Sequence, residues 1–143
     1  MAIVKTASAS YSPLGKNGQG HVSLASGALS NQPYGFNTRF EDKAGTNPEE
    51  LIAGAHASCF AMALSFALEG AGFDAGELNV DAAVTLVEDG EGFKVSASAL
   101  TLDAKVVGID EDKFKDIAEG AKANCPISKL LDADISLEYT LTA

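Results

Sequence analysis

The chain predicts an α+β fold built mainly from antiparallel sheet, and three observations carry that reading. Short stretches of alternating small and apolar residues surround turn glycines in the N-terminal part. Two runs of helical periodicity follow, one opening at Pro48 and one near Asp110. Long alternating stretches at 78–88 and 92–107 lie between them, and another at 134–142 closes the chain. Hairpins, helix, hairpin, helices and strand in that order suit helices packed on antiparallel sheet.

Residues 3–12 and 21–26 alternate as strands do, and Asn17-Gly18 between them is a hairpin signal. Gly15, Gly18 and Gly20 precede a strand, not a helix, so they are read as turn glycines and not as a phosphate cradle. Residues 34–41 are read as a further short strand carrying Arg39, with a turn at Asp42–Gly45. Asn47 is a suitable N-cap, Pro48 suits the first helical position, and Glu50 stands where a capping-box carboxylate reaches back. Glu49 is left without a capping task.

Along this first long helix Leu51, Ile52, Ala55, Cys59, Met62 and Phe66 recur at helical spacing, which places Cys59 on the expected packing face. The opposite face is Ala, Gly and Ser, so a long buried central helix is expected, packed against a partner helix in a second subunit. Gly70 and Gly72 end it. The strands at 78–88 and 92–107 turn around Glu88–Glu91. Phe114, Ile117, Ala118, Ala121 and Cys125 form the apolar stripe of the second helix. Pro126 restarts the chain as a short helix through Leu131, and Ile135, Leu137, Tyr139 and Leu141 line one side of the last strand.

No repeat, low-complexity tract or linker interrupts residues 1–143, so a single domain is expected. With 46% hydrophobic and 21% charged residues the composition is that of a folded domain. A net charge of −10 and the lack of any Lys/Arg cluster argue against nucleic acid as a partner. Leu51–Leu68 is eighteen residues without a charge. Its Ala, Gly, His and Ser content suits a soluble core helix better than a membrane span. The opening residues hold no long apolar stretch, and two cysteines without an export signal point to a reducing cytoplasm. Two thiols, with His21 and His56 at no finger-like spacing, do not make a zinc site, so no metal or cofactor is expected.

The chemistry therefore rests on the two cysteines and the only arginine. Cys125 precedes Pro126 at a helix start, where free N–H groups and the helix dipole favour a thiolate; the plain alternative is a small capping residue. Cys59 in an apolar helix is ordinarily core, and burial raises a thiol pKa. It becomes reactive beside a positive charge. Arg39 is the candidate, and Glu49 supplies the carboxylate that a guanidinium in an apolar place needs. Glu49 and Cys59 are ten residues apart on one helix, about 15 Å at about 1.5 Å per residue. A carboxylate serving Cys59 is thus expected from a twofold-related chain. His56, three residues before Cys59, raises the thought of a Cys/His hydrolase, but no third group is evident to orient the imidazole. Phe36, Met62 and Phe66 are open to two readings, a lining for alkyl chains or simple core.

Asn47-Pro-Glu-Glu-Leu-Ile-Ala-Gly-Ala-His-Ala-Ser-Cys59-Phe-Ala-Met and Ala123-Asn-Cys125-Pro-Ile-Ser together resemble the OsmC/Ohr family of thiol-dependent peroxidases. Asn31-Gln-Pro-Tyr-Gly-Phe-Asn-Thr-Arg39-Phe is similar to its OsmC branch. The resemblance runs from about residue 10 to the C-terminus. It implies a cytoplasmic, intertwined α+β homodimer that reduces organic hydroperoxides and hydrogen peroxide in oxidative and osmotic stress. It implies Cys59 as peroxidatic cysteine, Cys125 as resolving cysteine, Arg39 as thiolate-stabilising residue and Glu49 as the carboxylate holding Arg39. The implied reductant is an external dithiol of lipoyl type. One tension stands: local electrostatics favour Cys125 as the thiolate, whereas the resemblance gives first attack to Cys59. The competing reading is a non-catalytic, stress-related binding protein whose cysteines only pack.

Overall fold

In the computed structural model, which describes residues 1–143, the chain divides into two units, Met1–Leu51 and Ile52–Ala143. The N-terminal unit holds a three-stranded antiparallel sheet in the order β1 (Ala7–Ser12), β2 (Gln19–Leu24), β3 (Gln32–Tyr34). β1 and β2 pair from Ala7↔Leu24 to Ser12↔Gln19. The connecting loop is longer than a tight hairpin turn. It is tied by the Gly18 N–H and the Tyr11 hydroxyl, which both donate to the Gly15 carbonyl at 3.0 and 2.9 Å. Of the three glycines, only Gly15 has the left-handed φ of a turn residue, +89°. Gly18 and Gly20 are needed for close approach instead. A Cβ on Gly18 would meet the Pro13 carbonyl oxygen, and one on Gly20 would lie 2.5 Å from the Tyr34 ring.

Arg39 is not on a strand. β3 stops at Tyr34, and residues 36–40 form a short helix, α1 (Phe36–Phe40). Local bonds explain the change. The Gly35 N–H donates to Thr38 Oγ1 at 2.7 Å, the Thr38 hydroxyl donates to the Gly35 carbonyl at 3.1 Å, and the Arg39 N–H reaches that carbonyl at 3.1 Å. Such bonds compete directly with a sheet ladder. The alternation of Tyr34, Phe36, Thr38 and Phe40 also contains an i,i+4 aromatic pair, and the Phe36 and Phe40 rings lie 4.9 Å apart.

The long helix α2 (Pro48–Gly70) begins as expected, with the Glu50 N–H donating to Asn47 Oδ1 at 2.8 Å. The Glu50 carboxylate does not close a capping box. It accepts from the Thr46 hydroxyl at 2.9 Å. At the other end the Phe73 N–H donates to the Leu68 carbonyl and the Gly72 N–H to that of Glu69, both at 2.9 Å, with Gly72 at φ +96°. This is the six-to-one and five-to-two closure that glycine at C′ permits.

The second unit carries most of α2, the sheet β4 (Gly76–Asp89), β5 (Gly92–Val106), β6 (Asp134–Thr142), and two further helices, α3 (Glu111–Asn124) and α4 (Pro126–Leu130). β4 and β5 are an antiparallel hairpin with an irregularity at Thr85/Leu86, but β6 runs parallel to β5. The sheet is therefore mixed. Two parallel neighbours need a crossover, and α3 with α4 supplies it. Asp110 caps α3 by accepting from the Lys113 N–H at 2.9 Å. Phe60, Leu64 and Leu68 of α2 cluster with Leu100, Leu102 and Ala104 of β5 and with Phe114, Ala118 and Cys125.

That cluster corrects the expected packing face of α2. The buried residues are His56, Phe60, Leu64 and Leu68, at i, i+4, i+8 and i+12. Met62 and Phe66, expected to pack inward, are 59% and 68% exposed. In the single chain the helix is covered along one stripe, not buried all round. A helix apolar on every side offers periodicity no contrast to choose by. By length and composition alone α2 would also pass for a membrane span, with a mean hydropathy of 1.8.

Candidate active site

Cys59 and Cys125 come together in the second unit. The two thiols are near enough for each to shift the other's ionisation, and both cysteines are free. The local chain path explains how. Cys125 is at once the C-cap of α3, its N–H donating to the Ala121 carbonyl at 2.9 Å, and the N-cap of α4, its carbonyl accepting from the Lys129 N–H at 3.1 Å. Pro126 suits the first position of α4 because it has no N–H to satisfy. The next two N–H groups, those of Ile127 and Ser128, favour a thiolate at Cys125, and that of Ile127 also favours one at Cys59, although the Cys125 side chain accepts no capping hydrogen bond.

The thiols are not equivalent. Burial and the neighbouring Cys125 thiol push the Cys59 thiol above its ordinary range, against the Ile127 N–H. Burial works to raise Cys125 too, but the neighbouring Cys59 thiol and the donor groups of Ile127 and Ser128 bring it below its ordinary value. Local electrostatics thus favour Cys125 as the thiolate, as its N-cap position suggested. Access runs the other way. Cys125 is 0% exposed, whereas Cys59 is only partly buried and lines an opening of about 540 Å³. Ala55, Met62, Ala63, Phe66 and Ile127 share that lining, so it is almost wholly apolar. Met62 and Phe66, which had two readings, line the opening instead of the core. Phe36 belongs to the other unit.

The second pair lies in the N-terminal unit. Arg39 Nε donates to both Glu49 carboxylate oxygens at 3.1 Å, and its Nη2 donates to Oε1. This is a two-pronged pair with the Glu49 side chain 12% exposed. The carboxylate left over from capping is therefore occupied, by the one arginine of the chain. Tyr11, Lys16, Tyr34, Phe36, Arg39 and Phe40 line a separate recess of about 440 Å³ in this unit.

His56 does not address Cys59. It is fully buried, with Nδ1 2.6 Å from Ser98 Oγ and Nε2 2.8 Å from Ser128 Oγ. Groups that orient the imidazole exist after all, but they take both ring nitrogens, which removes the Cys/His hydrolase geometry. The sequence reading missed these two serines. Ser98 showed no signal beyond its place in an alternating strand, and Ser128 only its position three residues after an N-cap. Burial holds the imidazole below its ordinary value of 6.5. Above that pH the ring is neutral folded or unfolded. Below it the unfolded chain takes up a proton that the folded site refuses, so stability is lost as pH falls, at up to ~1.4 kcal/mol per pH unit. Denaturant titrations between about pH 7 and about pH 5 should show this slope, and His56→Gln should flatten it.

A pair of neighbouring thiols, one open to an apolar recess and one fully buried, on a mixed α+β frame, is the equipment of a thiol redox protein. Comparison with known proteins narrows this class. The family model described as OsmC-like protein matches residues 40–140, a span that includes Glu49, Cys59 and Cys125. Peroxiredoxin OsmC of Escherichia coli K12 is 48% identical over 141 residues, covering 99% of each chain. Organic hydroperoxide resistance protein OhrB of Bacillus subtilis is 29% identical over 124 residues, 85% of this chain and 88% of that one. The crystal structure of the latter superposes with a TM-score of 0.69 at 26% identity, covering 94% of this chain and 98% of that chain. The chain belongs to the OsmC-like protein family.

Proposed function

We propose that this protein is a thiol-dependent peroxidase that reduces organic hydroperoxides and hydrogen peroxide in oxidative and osmotic stress. The observation that carries the reading is the Cys59–Cys125 pair, in which only Cys59 opens onto an apolar recess. The names of the relatives, a peroxiredoxin and an organic hydroperoxide resistance protein, support the same class.

In this reading the Cys59 thiolate attacks one peroxide oxygen along the O–O bond. A sulfur–oxygen bond forms, the O–O bond breaks, and alkoxide or hydroxide leaves to be protonated. Cys59 is oxidised by two electrons to a sulfenic acid, and the peroxide is reduced to alcohol or water. Cys125 then attacks the Cys59 sulfur, forming the disulfide and releasing the sulfenic oxygen as water. An external dithiol, of lipoyl type, restores both thiols by exchange and leaves as its own disulfide. Sulfur carries the electrons throughout, so no metal or cofactor enters.

Arg39 lowers the Cys59 pKa and steadies the departing oxygen, and Glu49 fixes the guanidinium plane. The ten-residue separation of Glu49 and Cys59 on α2, with the exposed apolar residues of that helix, supports a homodimer in which the partner subunit supplies this pair. The same reading takes residues 1–143 as one intertwined family domain working in the cytoplasm, where a dithiol pool is kept reduced. The competing reading, a binding protein with packing cysteines, expects the thiols to lie apart and draws no support from thiols that lie near one another.

The test is consumption of cumene hydroperoxide and hydrogen peroxide with dihydrolipoamide as reductant, followed by mass spectrometry of the oxidised chain. Turnover with a 59–125 crosslink is expected. Slow, stoichiometric oxidation without the crosslink would leave the binding-protein reading in its place.

A further inference from the structure

Ser98, His56, Ser128 and Cys125 form one continuous buried line of hydrogen-bonding groups. Ser98 Oγ lies 2.6 Å from His56 Nδ1, Ser128 Oγ lies 2.8 Å from His56 Nε2, and the Ser128 hydroxyl stands near the Cys125 sulfur, where it favours the thiolate. His56, Ser98 and Cys125 are 0% exposed and Ser128 is 8% exposed, so the line is shut away from bulk solvent. No buried side-chain nitrogen or oxygen lacks a partner.

The hydrogens along this line have one arrangement that serves a thiolate. A hydroxyl has one proton. If Ser128 spends its proton on the Cys125 sulfur, its oxygen must accept from His56, so Nε2 carries the imidazole hydrogen. Nδ1 is then bare and accepts from the Ser98 hydroxyl. Each donor is used once and each acceptor is filled. If the sulfur is instead protonated and donates to Ser128, every bond reverses and the hydrogen moves to Nδ1. The tautomer of a neutral, buried histidine is thus coupled to which end of the line holds the proton.

We infer that His56 is a positioning residue for the second chemical step: anchored by Ser98, it holds the Ser128 hydroxyl as a donor to Cys125 so that Cys125 attacks the sulfenic acid as a thiolate. In that step the Cys125–Cys59 bond forms and the Cys59 S–O bond breaks. The proton given up by Cys125 joins the departing hydroxide as water. The sulfenic sulfur is reduced as the Cys125 sulfur is oxidised, and no further reagent is needed. His56 touches no reacting atom.

This rests on the peroxidase reading, and the experiment separates the two. A fixed pulse of cumene hydroperoxide is given to the reduced full-length protein, and mass spectrometry measures the ratio of Cys59 sulfinic acid to 59–125 disulfide. The ratio compares two fates of one sulfenic acid, so it depends neither on the first oxidation nor on the amount of folded protein. One donor hydrogen bond to a charged sulfur corresponds to about a tenfold change in rate. Ser128→Ala and His56→Leu are expected to raise the ratio about tenfold. Ser128→Thr, which keeps the hydroxyl, and His56→Gln, which keeps an N–H towards Ser128, are expected to recover much of it. ¹⁵N NMR of the reduced protein, at a pH where Cys125 is ionised, should find the hydrogen on His56 Nε2. An unchanged ratio in Ser128→Ala and His56→Leu, or an Nδ1-protonated ring, overturns the inference and leaves the peroxidase reading standing. A wild-type protein that forms no 59–125 disulfide removes both.

Discussion

Replacing Cys59 with serine is expected to lower kcat/KM for cumene hydroperoxide by about a thousandfold or more, because the only thiol open to the apolar recess is lost. Cys125→Ser is expected to behave differently. Its first equivalent of peroxide should still be consumed rapidly, after which activity dies as Cys59 proceeds to sulfinic acid. The contrast matters because the local electrostatics point the other way. Cys125 is the thiol held low, and Cys59 the thiol held high. Ionisation alone would make Cys125 the first nucleophile. A fully buried sulfur must wait for an opening of the fold before it meets a peroxide, whereas Cys59 already faces the recess. Stopped-flow peroxide consumption on both variants, with the oxidation state of the remaining sulfur read by mass spectrometry, decides between access and ionisation. A rapid first oxidation in Cys59→Ser would reverse the order of the two cysteines.

The second large effect is expected at Arg39. With an ordinary value of 9.0, about one Cys59 in a hundred would be ionised at neutral pH. Burial and the neighbouring Cys125 lower that fraction further. A guanidinium brought to Cys59 has to reverse this, so Arg39→Ala should lower the rate of the first oxidation by about a hundredfold or more at neutral pH. The sign with pH is definite. Without Arg39 the rate should climb about tenfold per pH unit up to the raised thiol pKa, while the wild-type rate levels off at lower pH. Glu49→Gln keeps the guanidinium but loses the two-pronged clamp, so a smaller loss with a similar profile is expected. Arg39→Lys should fall between, since an ammonium keeps charge but not the planar fork. An Arg39→Ala profile superimposable on wild type would remove Arg39 from the mechanism.

Much of this was legible from the chain alone, and for local reasons. Asn47 and Asp110 announced helix starts because a cap acts within three or four residues. Cys125-Pro126 announced a helix junction because proline has no N–H to donate. The alternation at 78–88, 92–107 and 134–142 announced strands because one face of each must be covered. Motifs around both cysteines carried the family, since those residues sit in short contiguous runs.

Other features required the folded chain. Arg39 went to a helix instead of a strand because Thr38 and Gly35 bond each other, and a period-2 pattern also contains an i,i+4 pair. The covered face of α2 could not be chosen from an all-apolar sequence; Leu100 and Leu102 on β5 chose it. The parallel placement of β6 followed from where α3 and α4 delivered the chain. Capping, turn chemistry and residue type act over a few positions, so the chain alone reveals them. Which thiol is sealed and which is open, and which hydroxyls hold His56, depend on residues tens of positions apart meeting in space. Those became visible in the folded chain.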